Sequence, residues 1–205
     1  GGTDGSAARN WKIIEYDKSK VKLLDELPDG HMGFPGNLTV ETTYKVDKTT
    51  IDIFIEASTD KTTLCNFTNH SYFNLDGAEN IANHSLIVNC DNVLPVDKNG
   101  IPISEPVSTK ELALDFKNSQ KLNNNGKPIE IDHNFCISNT RQNLRKNAIV
   151  SAKNISLELL STEPGLQVYT GKGLDSGNDE GWGKFPYKEY AGIALEPQIW
   201  PDSPN

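Results

Sequence analysis

Thr50-Ile51-Asp52-Ile53-Phe54-Ile55-Glu56 alternates apolar with polar residues. Residues two apart on a strand point the same way, so Ile51, Ile53 and Ile55 share one face, and Phe54 looks the other way between two acids. Similar short runs are Leu38–Val46, Ser85–Asn89, Ala148–Ala152, Ser156–Ser161, Leu166–Thr170 and Gly192–Leu195. Turn chemistry separates them: Leu27-Pro28-Asp29-Gly30, Phe34-Pro35-Gly36-Asn37, Asp97-Lys98-Asn99-Gly100 and Asn123-Asn124-Asn125-Gly126. The Asn-Gly pairs at 99–100 and 125–126 signal hairpins, because both residues tolerate positive φ. One stretch reads as a helix of a single turn or two: Ser108-Thr109-Lys110-Glu111 fits a capping box and precedes Leu112, Leu114 and Phe116 before the pattern dissolves into polar residues. Many short strands punctuated by turns predict an all-β sandwich or barrel-like fold.

At 205 residues the chain is long enough to bury a core as a single domain, and no repeat or compositional linker divides it. A mean hydropathy of −0.53 with 23% charged residues describes a soluble globular protein, and no apolar run approaches a bilayer's span. The net charge of −8 disfavours nucleic-acid and anionic membrane partners and leaves a neutral ligand unaffected. Cys65, Cys90 and Cys136 are widely spaced and odd in number, which argues against a disulfide framework and against a zinc site. The opening GGTDGSAARNW lacks the basic and apolar segments of a signal peptide, so a cytoplasmic location is expected.

Four segments resist a purely structural explanation. Asn66-Phe67-Thr68-Asn69-His70-Ser71-Tyr72-Phe73-Asn74-Leu75 mixes hydrogen-bonding groups with aromatic rings, as a ligand site requires. Histidine is the usual proton donor or acceptor in catalysis, while the plain reading of a lone histidine is a turn in which it is simply hydrogen-bonded. In Gly192-Ile193-Ala194-Leu195-Glu196-Pro197-Gln198-Ile199-Trp200-Pro201-Asp202 an apolar strand runs into a carboxylate. Burial there would raise its pKa and suit a general base; the plain alternative is an exposed glutamate at a strand end. Ile131-Asp132-His133-Asn134-Phe135 places Asp beside His, yet strand neighbours point to opposite faces, so one metal ion would not take both. In Pro164-Gly165-Leu166-Gln167-Val168-Tyr169-Thr170-Gly171, Gln167 and Tyr169 share a face.

These segments together resemble the aldose 1-epimerase (galactose mutarotase) family. Asn69-His70-Ser71-Tyr72-Phe73-Asn74-Leu75 is similar to that family's NHSYFNL signature, and Asp132-His133-Asn134-Phe135 to its DHNF. Pro164–Gly171 resembles its PG-Q-YTG strand, while Leu195-Glu196-Pro197-Gln198 and Pro201-Asp202-Ser203-Pro204-Asn205 resemble its closing LE-Q--PDA-N. All four occur in family order. The resemblance implies a galactose-mutarotase-like β-sandwich (supersandwich) and interconversion of the α and β anomers of glucose or galactose, with no cofactor. It implies His70 as general acid, Glu196 as general base, and Asp132 and Gln167 as groups that hydrogen-bond sugar hydroxyls. Trp200 lies beside this constellation, either as a stacking surface or as packing. The family carries a histidine just before a Gly-Gly, whereas this sequence opens on Gly1-Gly2. The expectation is therefore a single aldose 1-epimerase-like domain over residues 1–205, truncated at both ends, with an upstream histidine and arginine absent.

Three other functions fit parts of the pattern. One is a catalytically silent carbohydrate-binding relative. Another is a hexose-6-phosphate epimerase, which would need a basic cluster to hold phosphate, whereas Arg9, Arg141 and Arg145 are the only arginines. A glycosidase would use Asp132 and Glu196 as its carboxylate pair.

Overall fold

The computed structural model describes residues 2–181 and 184–204; Gly1 and Asn205 of the segments quoted above lie outside them. No helix among the described residues is long and apolar enough to cross a membrane. The chain divides into two compact units, one up to Phe67 and one from Thr68 onward.

The first unit is an antiparallel meander of β1 (Lys12–Tyr16), β2 (Lys20–Leu27), β3 (Leu38–Asp47) and β4 (Thr50–Thr59). Its register aligns Val21, Tyr44 and Ile53 in one row and Leu23, Thr42 and Ile55 in the next. Opposed residues of an antiparallel ladder point to the same side, so one face is apolar. The other face carries Lys22, Glu41 and Glu56, and Lys22 pairs with Glu41 across the strands. At one end of the apolar face Asp25 and Val40 are opposed and buried, and Arg9 Nε donates to both Asp25 carboxylate oxygens at 3.0 and 3.2 Å.

The second unit starts with β5 (Tyr72–Phe73), β6 (Ser85–Val88), β7 (Asn92–Val93), β8 (Val107–Ser108) and β9 (Gln120–Lys121). A small hairpin of β10 (Asn123–Asn124) and β11 (Lys127–Pro128) follows, then β12 (Asp132–Cys136), β13 (Arg145–Ala152), β14 (Ile155–Ser161), β15 (Gly165–Tyr169) and β16 (Ile193–Gln198). One sheet runs β5-β16-β15-β12-β7-β8 and another β14-β13-β6-β9. Leu86, Val88, Ala148 and Val150 from the second sheet join Phe135, Leu166, Val168, Ile193 and Leu195 from the first in one buried cluster. This is a sandwich core built from the inner faces of two sheets. At the β10–β11 turn Asn125 (φ 52°) and Gly126 (φ 82°) both take the left-handed conformation, as the Asn-Gly hairpin signal requires.

The expected helix after Ser108 does not form. Ser108 instead closes β8 opposite Asn92, and the chain continues in turns through Ala113 at φ +56°. Leu114 and Phe116, which follow the capping-box segment, are core residues. Burying those two side chains outweighs a local helix preference worth only tenths of a kcal/mol per residue.

Candidate active site

Three strands of the six-stranded sheet create the site by register. β12, β15 and β16 align Asp132 with Tyr169 and Ala194, and Asn134 with Gln167 and Glu196. Ala194 is opposite Tyr72 of β5, so that side chain faces the same way. The residues between them, Phe135, Leu166, Val168, Ile193 and Leu195, point to the other face and fill the core. One face of this sheet is therefore hydrophobic and buried, and the other is lined with amides, carboxylates and phenols. His70, two residues before Tyr72, reaches the polar face, where its Nε2 lies 3.5 Å from Glu196 Oε1.

A cavity of about 310 Å³ opens on that face, lined by His70, Asp132, Asn134, Gln167, Tyr169, Glu196 and Gln198 together with Leu94, Val96 and Pro102. All four sequence-predicted site residues meet there. Gln167 Nε2 donates to Asp132 Oδ1 at 2.6 Å, which orients the amide and leaves its oxygen to accept from a hydroxyl. Glu196 is 7% exposed. Burial, and secondarily the Asp132 charge, push its carboxyl above the ordinary glutamate value, while His70 opposes the shift. The Tyr72 phenol is also raised, first by burial and then by Tyr169, Glu196 and Asp132.

Asp132 and His133 point to opposite faces, and burial holds the His133 imidazole below its usual value. The arginines are engaged elsewhere: Arg9 with Asp25, Arg141 with Glu163, and Arg145 with Ser138 and the Glu163 carbonyl. None lines this cavity among the described residues. Trp200 donates its indole N–H to the Pro164 carbonyl at 3.0 Å and lies against Gly165, where an added Cβ would come within 2.8 Å of the ring. That places it as packing at the start of β15 rather than as a wall of the cavity.

Sequence reasoning passed over Asn134 and Gln198. Each sits two residues from an identified one, Asp132 and Glu196, and strand alternation would have found both. Asn134 is almost fully buried, and its Oδ1 has no hydrogen-bond partner among the described residues. Its β15 neighbour Gly165 leaves room for it, since a Cβ there would lie 2.5 Å from that oxygen.

The sequence model of the family described as aldose 1-epimerase matches residues 1–205. The chain is 34% identical over 216 aligned residues to an aldose 1-epimerase of Escherichia coli, covering 100% of this chain and 62% of the relative. It is 37% identical over 191 residues to a galactose mutarotase of Mus musculus, covering 90% of this chain and 56% of that one. Among solved structures, an aldose epimerase homologue from C. elegans superposes with a TM-score of 0.85 at 25% identity, over 96% of this chain and 61% of the other. A galactose 1-epimerase from Lactobacillus acidophilus gives 0.75 at 26%, over 93% and 58%. The chain thus spans about three fifths of the length of the relatives it matches.

Proposed function

The chain belongs to the aldose 1-epimerase family, and from that premise we propose that its site interconverts the α and β anomers of free hexoses such as galactose and glucose. The observation that carries this reading is the buried Glu196 carboxylate 3.5 Å from the His70 imidazole at a cavity floored by polar side chains. In the proposed cycle Glu196 takes the proton of the anomeric hydroxyl while protonated His70 gives one to the ring oxygen. The C1–O5 bond breaks and a free aldehyde forms. Rotation about C1–C2 presents its other face, and the two groups reverse roles as the ring closes. Each group must act as acid and as base in turn, so both need pKa values near ambient pH. The upward shift of Glu196 runs in that direction. Asp132 and Gln167, already oriented by their mutual hydrogen bond, would hold sugar hydroxyls. The chemistry needs no metal, nucleotide or covalent intermediate.

Because the family match runs through both compact units, we read residues 1–205 as part of one aldose 1-epimerase domain. A cytoplasmic setting belongs to the same reading, since three widely spaced cysteines do not make a disulfide framework. Polarimetry of freshly dissolved α-galactose tests the enzyme reading. Optical rotation should relax faster with the chain than in buffer, and equal rates would reject turnover by it. A galactose titration followed by NMR separates the carbohydrate-binding alternative, in which shifts saturate without accelerated mutarotation.

A further inference from the structure

His70 is half exposed and precedes the two paired residues of β5, so the strand ladder does not fix its ring. No hydrogen bond to the imidazole is present among the described residues, and the 3.5 Å approach to Glu196 exceeds hydrogen-bond length. A proton-transfer group needs a fixed direction, because effective catalysis depends on near-attack geometry. What touches the ring is aromatic. The Tyr72 ring lies 5.0 Å from it, centroid to centroid, and Tyr169 stands edge-on at 6.3 Å. The two tyrosines are themselves edge-to-face at 6.2 Å.

The sequence explains how both reach one histidine. In the row Asp132–Tyr169–Ala194–Tyr72 the small Ala194 stands between the tyrosines, which lets their rings meet. Tyr169 is held from its far end as well, since its hydroxyl accepts the Gly173 N–H at 2.6 Å. That approach depends on glycine: a Cβ on residue 173 would lie 2.9 Å from the hydroxyl oxygen. Gly192 similarly leaves room for Tyr72, whose Cβ would be 3.0 Å from an added one.

We propose that Tyr72 and Tyr169 form a bracket that positions the His70 imidazole, with its Nε2 directed at Glu196. The proposal rests on the acid–base reading of His70 given above. Both tyrosines act through the histidine, as positioning residues.

The test compares Tyr169→Leu, Tyr169→Phe and Tyr72→Leu in the full chain. Loss of a ring should lower kcat roughly 10- to 100-fold while KM changes little, because misplacing a catalytic group by about 1 Å costs on that scale. Tyr169→Phe keeps the ring and removes only the hydroxyl tether, so it should recover most of what leucine loses. Equal damage from Phe and Leu would overturn the bracket, because the hydroxyl's hold on the Gly173 turn would then be the operative contact. The second readout is the His70 ring-proton shift in sugar-free NMR spectra. It should be displaced by the tyrosine ring currents and move toward the free-histidine position in both leucine variants. Unchanged shifts in those variants would reject the proposal. Since that reading needs no turnover, a wild-type chain that fails to mutarotate would count against the proposed function and leave the bracket to be decided by the spectra.

Discussion

Ile51 and Ile53 of β4 and Val168 and Leu195 of β15 and β16 belong to the same kind of pattern, apolar residues at every second position of an antiparallel strand. In the first unit Ile51 is 61% exposed, and Ile13, Tyr16 and Val46 on the same face are also exposed. In the second unit Val168 is fully buried and Leu195 nearly so, because the inner face of another sheet lies against them. The polar faces differ in the opposite sense. Glu41 and Glu56 stand at the surface of the meander with a lysine beside them, whereas Glu196 is sunk in the floor of a cavity. Alternation records which side chains share a face. It does not record what covers that face, and stability and chemistry both depend on the covering.

The sharpest way to strain this comparison is to remove a side chain from the covered face. Phe135 is fully buried and meets Phe116 edge-to-face at 6.4 Å. Phe135→Ala should cost about 3–5 kcal/mol of unfolding free energy, from lost transfer energy plus the cavity left behind. Denaturant melts would read this, and a loss under about 1 kcal/mol would mean the sandwich core is not packed as described.

Glu196→Gln sets the two polar faces against each other. Turnover should fall roughly 10²–10⁴-fold, the contribution of one positioned proton-transfer group. Stability should move the other way. The folded-state pKa of Glu196 is raised, so its favourable contribution is full below the ordinary glutamate value and fades as pH rises through the folded value. At neutral pH the buried carboxylate is a net cost, which the neutral amide removes. The variant should therefore melt above wild type at neutral pH and level with it in acid. A lower Tm at neutral pH would show that pairing with His70 outweighs burial. The surface exchange Glu41→Gln should change neither property appreciably, since exposed pairs contribute on the order of 0–1 kcal/mol.

Much of the strand layout was legible because period-two alternation is a local property. β4 occupies Thr50–Thr59 and β6 occupies Ser85–Val88, close to the runs read from the sequence. The polar face of the site was only partly legible. Gln167 and Tyr169 could be placed together by spacing, but nothing in their spacing brings them beside Glu196, which requires the β15–β16 register. The bracket around His70 was less accessible still, since it depends on Ala194 falling between two tyrosines from different strands. The helix after Ser108 failed for the converse reason. A capping signal is local, and the burial of Leu114 and Phe116 that overrode it is not.

The smallest expected effect lies on the uncovered face. Ile51→Thr keeps a β-branched side chain in the strand and removes apolar surface that is already in water. Unfolding free energy should change by no more than about 0.5 kcal/mol, the range of surface substitutions away from special features. Contiguous apolar patches promote association, so the substitution should also reduce any concentration-dependent sedimentation. A loss comparable to that of Phe135→Ala would break the comparison, because it would mean that Ile51 is packed in solution and that the two apolar faces are equally covered.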